Sequence, residues 1–231
     1  MKTFLPAVCL LFCAAWRMAF GADAAAPSVS AILARMDAAA PSFRSVSADI
    51  EMLTYTAIIS DKTDEKGTFQ MQKLKSGEVR AILNFSGQSD AREIGFLGKI
   101  VRIYYPNANT YQDYDVGKNT DVLNQFLLLG FGSSGKDLAA NYDITAEGVE
   151  KVAGQDTAKL LLLPKAQQMK DRLTKIEMWI PNDASYPVQQ QFYQPSGNYR
   201  IVTYTDVRLN APIKGNNLEL KLPHGAKKQG S

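Results

Sequence analysis

From Val46 onward the chain keeps returning to a period of two. In SVSADIEML, Val46, Ala48, Ile50 and Met52 alternate with Ser47, Asp49 and Glu51, which puts every apolar side chain on one face of an extended strand. Phe69 and Met71 alternate with Gln70 and Gln72, and Val79, Ala81, Leu83 and Phe85 with Arg80 and Asn84. GKIVRIYYPNANTYQDYDV reads as a hairpin turning at Pro106–Asn109, with Val101, Ile103 and Tyr105 on one face and Arg102 and Tyr104 on the other. Further strands are expected at Gly148–Val152, Thr157–Leu163, Arg172–Ile180, Val188–Tyr193, Tyr199–Val207 and Leu218–Leu222, while Asp61–Gly67 reads as a charged turn. Short strands joined by tight turns form an antiparallel meander, and about ten or eleven of them in one sheet curl over to cover their dry face. No repeat or low-complexity linker marks a boundary, so residues 22–231 are expected to form a single domain, mainly β with some helix.

Two places break the alternation. Val29, Ile32, Leu33 and Met36 have helical spacing, with Ser28 placed to cap the helix and Pro41 to close it. The second is DVLNQFLLLGFGSSGKDL, which crowds Val122, Leu123, Phe126, Leu127, Leu128, Leu129 and Phe131 together before Gly132-Ser133-Ser134-Gly135. Asn119 or Thr120 can cap this helix, Gly130 or Gly132 can end it, and Lys136–Tyr142 can add a turn or two. A segment so apolar needs burial on more than one side, yet falls short of the ~20 residues that cross a bilayer. Two readings stay open: a lid over the trough of the curled sheet, hinged at the glycines, or a fixed core helix.

The N-terminus has the grammar of an export signal. Lys2 precedes the apolar stretch Phe4–Trp16, and Ala19-Phe20-Gly21 offers a small-x-small site, so residues 1–21 read as a cleaved signal peptide and the mature chain as exported. Cys9 and Cys13 leave with it, and Phe12 is too bulky for a lipidation site at Cys13. Of 26 basic residues Lys2 and Arg17 are also lost; the rest nearly balance 23 acidic ones, which gives no electrostatic case for nucleic acid. Lys227-Lys228 reads as a solvated tail.

Catalytic equipment is sparse. The single histidine, His224, falls near the C-terminus, and without mature cysteines the soft-ligand metal sites are excluded. Asp64-Glu65 falls in the expected turn, and Asp113 and Asp115 share a strand face that reads as solvated. Gly132-Ser133-Ser134-Gly135 lacks the frame of a nucleophile elbow, and Gly135-Lys136 lacks the earlier glycine of a phosphate loop. No enzyme activity, metal or cofactor is expected. The aromatic residues carry the stronger signal: Phe69, Phe85, Phe96, Tyr105, Trp179, Phe192 and Tyr204 fall on strands, where they can fill a core or line an apolar cavity.

Taken in order, ILARMDAAAPSFRSVSADIE, GTFQMQKLK, GKIVRIYYPNANTYQDYDV, the apolar helix, VAGQDTAKLLLLPK and LELKLPHGA resemble the LolA-like family of periplasmic carriers of outer-membrane lipoproteins. The resemblance runs from Ile32 to about Lys227 and implies an incomplete, strongly curved antiparallel half-barrel, closed by helices, whose interior takes acyl chains. It implies a monomer that takes cargo from an inner-membrane transporter and gives it to an outer-membrane acceptor. In such an interior Ile50, Phe69, Met71, Leu83, Phe85, Ile103, Tyr105, Leu123, Phe126, Leu127, Trp179 and Phe192 are expected to contact lipid. The family's lid-controlling basic residue, usually an arginine followed by proline, corresponds here to Lys73-Leu74. The alternative reading is an envelope sensor of the same fold that binds a membrane-protein partner.

Overall fold

The computed structural model describes residues 28–87, 90–213 and 218–229, so the expected signal peptide, its cleavage site and both cysteines lie outside the described residues. The strands are β1 (Ser45–Thr56), β2 (Asp61–Lys73), β3 (Val79–Phe85), β4 (Arg92–Leu97), β5 (Ile100–Tyr105), β6 (Thr110–Asp115), β7 (Tyr142–Val152), β8 (Gln155–Pro164), β9 (Lys175–Pro181), β10 (Gln189–Tyr193), β11 (Tyr199–Leu209) and β12 (Lys227–Lys228). They form one open sheet in the order β12-β6-β5-β4-β3-β2-β1-β11-β10-β9-β8-β7. Two meanders are visible in that order. β1 to β6 run outward by hairpins to one side, β7 to β11 return from the far edge, and β1 pairs antiparallel with β11 where they meet.

This topology dictates where the apolar helix must go. The connection from β6 to β7 joins strands ten steps apart, about 48 Å along the sheet at the usual interstrand spacing. That connection carries α2 (Thr120–Leu128) and α3 (Gly135–Asn141) across the concave face of a curled sheet.

The helices divide the concave face into two unlike halves. α1 (Val29–Ala39) begins where the sequence places it, with Ser28 Oγ accepting from the Ala31 N–H at 3.2 Å. α3 is closed by a capping box between Ser134 and Asp137. α1 lies against α3 so closely that a Cβ on Gly135 would sit 2.3 Å from the Leu33 carbonyl oxygen. Together Ile32, Met36 and Leu138 bury Leu160, Leu162, Ile176, Met178 and Ile180 of β8 and β9, a solid core on that side. A second cluster, built on β1, β2, β3 and β11 with Leu127 and Phe131, covers the other side.

Several sequence expectations need correction. Asp61–Gly67 is the first half of β2, not a turn; the reversal is made by Ala57–Ile59 and Ser60, whose φ is 51°. Its charges pair across the sheet, Lys66 with Glu51 and Glu65 with Arg92, which lets a polar segment stay extended. β4 is a strand that the sequence hides, because Gly95 and the charged start weaken the alternation of Ile94 and Phe96. β7 starts at Tyr142 rather than Gly148, and β9 at Lys175 after the short helix α4 (Gln167–Lys170). Leu218–Leu222 is not a strand: Leu220 packs over Gly95, where a Cβ would meet it at 2.9 Å, and Leu218 is likewise buried. Lys227-Lys228 is not a free tail but β12, which pairs parallel with Thr110 and Tyr111 of β6.

An apolar cavity beneath the apolar helix

The register lays out the concave face row by row. Ile50 on β1 stands opposite Tyr204 on β11 and Gly67 on β2. On the next rows Phe69 faces Leu83, Leu83 faces Ile94, and Ile94 faces Ile103, carrying an apolar stripe from β2 to β5. Toward the β1–β2 turn, Met52 lies between Val202 and Glu65. Over this half the sheet and α2 do not close on each other, and a cavity of about 570 Å³ remains. That is within the usual ~300–1,000 Å³ of small-molecule sites.

Eight of the twelve residues expected to contact lipid line this cavity. Ile50, Phe69, Leu83, Phe85, Ile103 and Phe192 come from the sheet, and Phe126 and Leu127 from α2. Met71 does not; it is fully buried on the same face, in the cluster with Phe43, Val46 and Ala81. Tyr105 is half-buried on β5, outside the lining. Leu123 borders a neighbouring hollow of about 310 Å³ on the far side of Phe126. Trp179 needs the clearest correction, since its indole N–H donates to Glu150 at 2.7 Å and Lys159 lies 5.2 Å from its ring centroid. Neighbours along β9 alternate, so Ile176, Met178 and Ile180 enter the core while Glu177 and Trp179 take the opposite, convex face.

The chain after α2 is firmly seated. Phe131, 1% exposed, meets Tyr204 edge-on at 4.8 Å and stacks against Tyr186 at 6.0 Å. Gln190, 2% exposed, donates from Nε2 to the Leu129 carbonyl at 3.1 Å and accepts from the Tyr204 hydroxyl at 2.8 Å. Burial raises the Tyr204 pKa, so the phenol keeps its proton and its role as donor. Gly132, with φ of 120°, leaves no room for a side chain, since a Cβ would lie 2.4 Å from the Phe43 ring. The glycine tract is therefore a tight seam where its sequence suggested a loose hinge. α2 itself is less enclosed: Phe126 is 36% exposed and rests on Phe192 at 5.1 Å, at the rim of the cavity. Lys73 borders a cleft beside Leu128, Leu129, Gly132 and Ser133, but its side chain has no hydrogen bond to them, and the polar tether on this segment comes from Gln190.

Sequence reasoning missed the polar end of the cavity. Glu65 and Arg92 form a bidentate pair, with Arg92 Nη2 to Glu65 Oε2 at 2.9 Å, and the guanidinium stands 4.4 Å from the Phe85 ring centroid. Hydrogen bonding to Glu65 raises the Arg92 pKa against the opposing effect of burial. Thr54, Thr63 and Arg200 line the same end. A charged residue at a concave strand position is a visible signal, but only the register shows that these groups gather. Among the described residues no group of three His, Cys, Asp or Glu side chains could hold a metal ion.

No protein-family model matches the chain, and no curated protein does. Solved structures match it in fold. MucB superposes with a TM-score of 0.51 at 15% identity, over 84% of this chain and 62% of MucB. The lipoprotein LppX of Mycobacterium tuberculosis gives 0.50 at 15% identity, over 82% of this chain and 99% of LppX. An uncharacterized conserved protein from Thermus thermophilus gives 0.50 at 13% identity, over 86% of this chain and 96% of that one. The architecture is the LolA-like open half-barrel, an antiparallel sheet whose concave face is covered by helices.

Proposed function

We propose that the mature chain, residues 22–231, is exported and works without catalysis as a carrier that binds the acyl chains of lipoproteins or lipids and passes them toward the outer membrane. The observation that carries this reading is the cavity of about 570 Å³, lined mostly by aliphatic and aromatic side chains beneath an amphipathic helix. Each methylene hidden from water is worth about 0.8 kcal/mol, so a sixteen-carbon chain gains on the order of 12 kcal/mol, close to its gain in a bilayer. Transfer between protein and membrane is then nearly balanced. Closure of α2 onto the empty sheet competes for the same surface and favours release. Donor and acceptor would be an inner-membrane transporter and an outer-membrane receptor.

Native mass spectrometry after mild purification tests this. Bound lipid or triacylated peptide is the expected result; a protein that emerges empty and also refuses acyl probes would contradict it. A second reading of the same fold is an envelope sensor that binds a membrane-protein partner, with lipid in the cavity only as its signal. Recovery of an inner-membrane regulator as the main partner in a pull-down from envelope extract would promote that reading.

A further inference from the structure

The polar end of the cavity has a layout that an acyl-binding trough does not require. Arg200 of β11 stands opposite Thr54 of β1, and Thr54 stands opposite Thr63 of β2, so the three make one row across adjacent strands. Neighbours in such a row are about 5 Å apart, close enough to converge on one group. All three line the cavity, and none has a side-chain hydrogen bond or ion pair among the described residues. One row deeper, Glu65 is already neutralised by the fork of Arg92. Among the lining residues the end therefore holds two guanidinium groups against one carboxylate; Asp90 acts on Arg92 from outside the lining, and the cation left without a partner is Arg200. Arg200 is exposed while Glu65 is nearly buried, so the row stands at the solvent end and the apolar stripe of Phe69, Leu83 and Ile94 lies inward.

We propose that this row is a headgroup site: Arg200, with the hydroxyls of Thr54 and Thr63, receives an anionic oxygen group, carboxylate or phosphate, on an amphiphile whose tail occupies the cavity. The proposal rests on the acyl-binding reading and adds to it the charge of the ligand. A guanidinium donates a planar pair of N–H groups that suits either anion, and two threonine hydroxyls supply further donors. The Glu65–Arg92 pair closes the polar layer beneath, so that no bare carboxylate faces the bound anion.

The test is competition against a neutral fluorescent probe, N-phenylnaphthylamine, on the mature chain. The competitors share a dodecyl tail: dodecanoate, dodecyl phosphate, dodecanol and dodecyltrimethylammonium. Both anions are expected to displace the probe at about tenfold lower concentration than the alcohol, with the cation weakest. In Arg200→Gln the preference for anion over alcohol should vanish, while Thr54→Val with Thr63→Val should reduce it. Equal displacement by anion and alcohol, or a preference that survives Arg200→Gln, overturns the headgroup site and leaves acyl binding standing. If neither the probe nor any of the tailed competitors binds, both readings fall together. Acetate and inorganic phosphate are expected to displace nothing; displacement by either at the same concentration would assign the row to a free anion and overturn the proposal.

Discussion

Val202→Trp asks whether the interior is hollow. Val202 lies on the cavity-lining face of β11, between Met52 and Gln190, and is half-buried. The larger side chain adds roughly one aromatic ring's worth of bulk, and a cavity of about 150 Å³ is enough to take one benzene. A hollow of about 570 Å³ accepts that without moving the sheet. The added ring then buries roughly 100 Å² of apolar surface at about 25 cal/mol/Å², an upper figure of ~2.5 kcal/mol that ordering of the side chain reduces. The expected change in stability is thus from zero to about +2 kcal/mol. In a solid interior the same substitution overpacks the core and costs about 1–3 kcal/mol. The sign separates the two cases. Urea unfolding reads it, because 1 kcal/mol moves the midpoint by about 0.5 M at an ordinary m-value. Acyl-probe binding should fall at least about tenfold in the same variant, because the indole lies where the tail would run. A midpoint lowered by about 0.5 M or more, with probe affinity unchanged, would mean that the interior is filled.

Phe131→Ala should destabilise by about 3–5 kcal/mol in urea melts, since the ring is enclosed by Phe69, Tyr186 and Tyr204; a loss under about 1 kcal/mol would show that this anchor is not seated as described. Gly132→Ala should cost at least about 1 kcal/mol, from both its φ of 120° and the Phe43 contact, and unchanged stability would restore the loose-hinge reading. Lys73→Ala should stay within about 0.5 kcal/mol of the parent, whereas a larger loss would return this side chain to control of the lid. Hydrogen bonds from Arg102 hold the Asp113 carboxyl below its usual value against the effect of burial. A depressed folded-state pKa means that the unfolded chain takes up the proton first as pH falls. Its stabilisation is therefore present above about pH 4 and is lost below it. Unfolding midpoints between about pH 6 and pH 3 should fall less steeply in Asp113→Asn than in the parent, and identical profiles would contradict the assignment.

What could be read from sequence was what local periodicity carries. Val46 to Met52 and Val79 to Phe85 bury one face, so period-2 alternation marks them as strands, and Ser28 caps α1 because its hydroxyl satisfies a free N–H. Asp61–Gly67 was opaque because its partners, Glu51 and Arg92, are remote in sequence and neutralise it only once β2 is paired. Leu218–Leu222 misled for the opposite reason, an alternation produced by packing over Gly95 without a ladder. At the site, aliphatic and aromatic residues at concave positions were found by parity alone. Trp179 was misplaced because a single aromatic residue does not reveal which face of its strand is concave. Arg200, Thr54 and Thr63 could not be found, since they meet only through the pairing of β1 with both β2 and β11.

The most direct measurement is a crystal structure of the mature chain soaked with a bromine-tipped fatty acid, read by anomalous scattering. A bromine peak is expected beneath α2, among Phe69, Leu83 and Ile94, with the carboxylate toward Arg200. A filled interior with bromine only on the outer surface would contradict it.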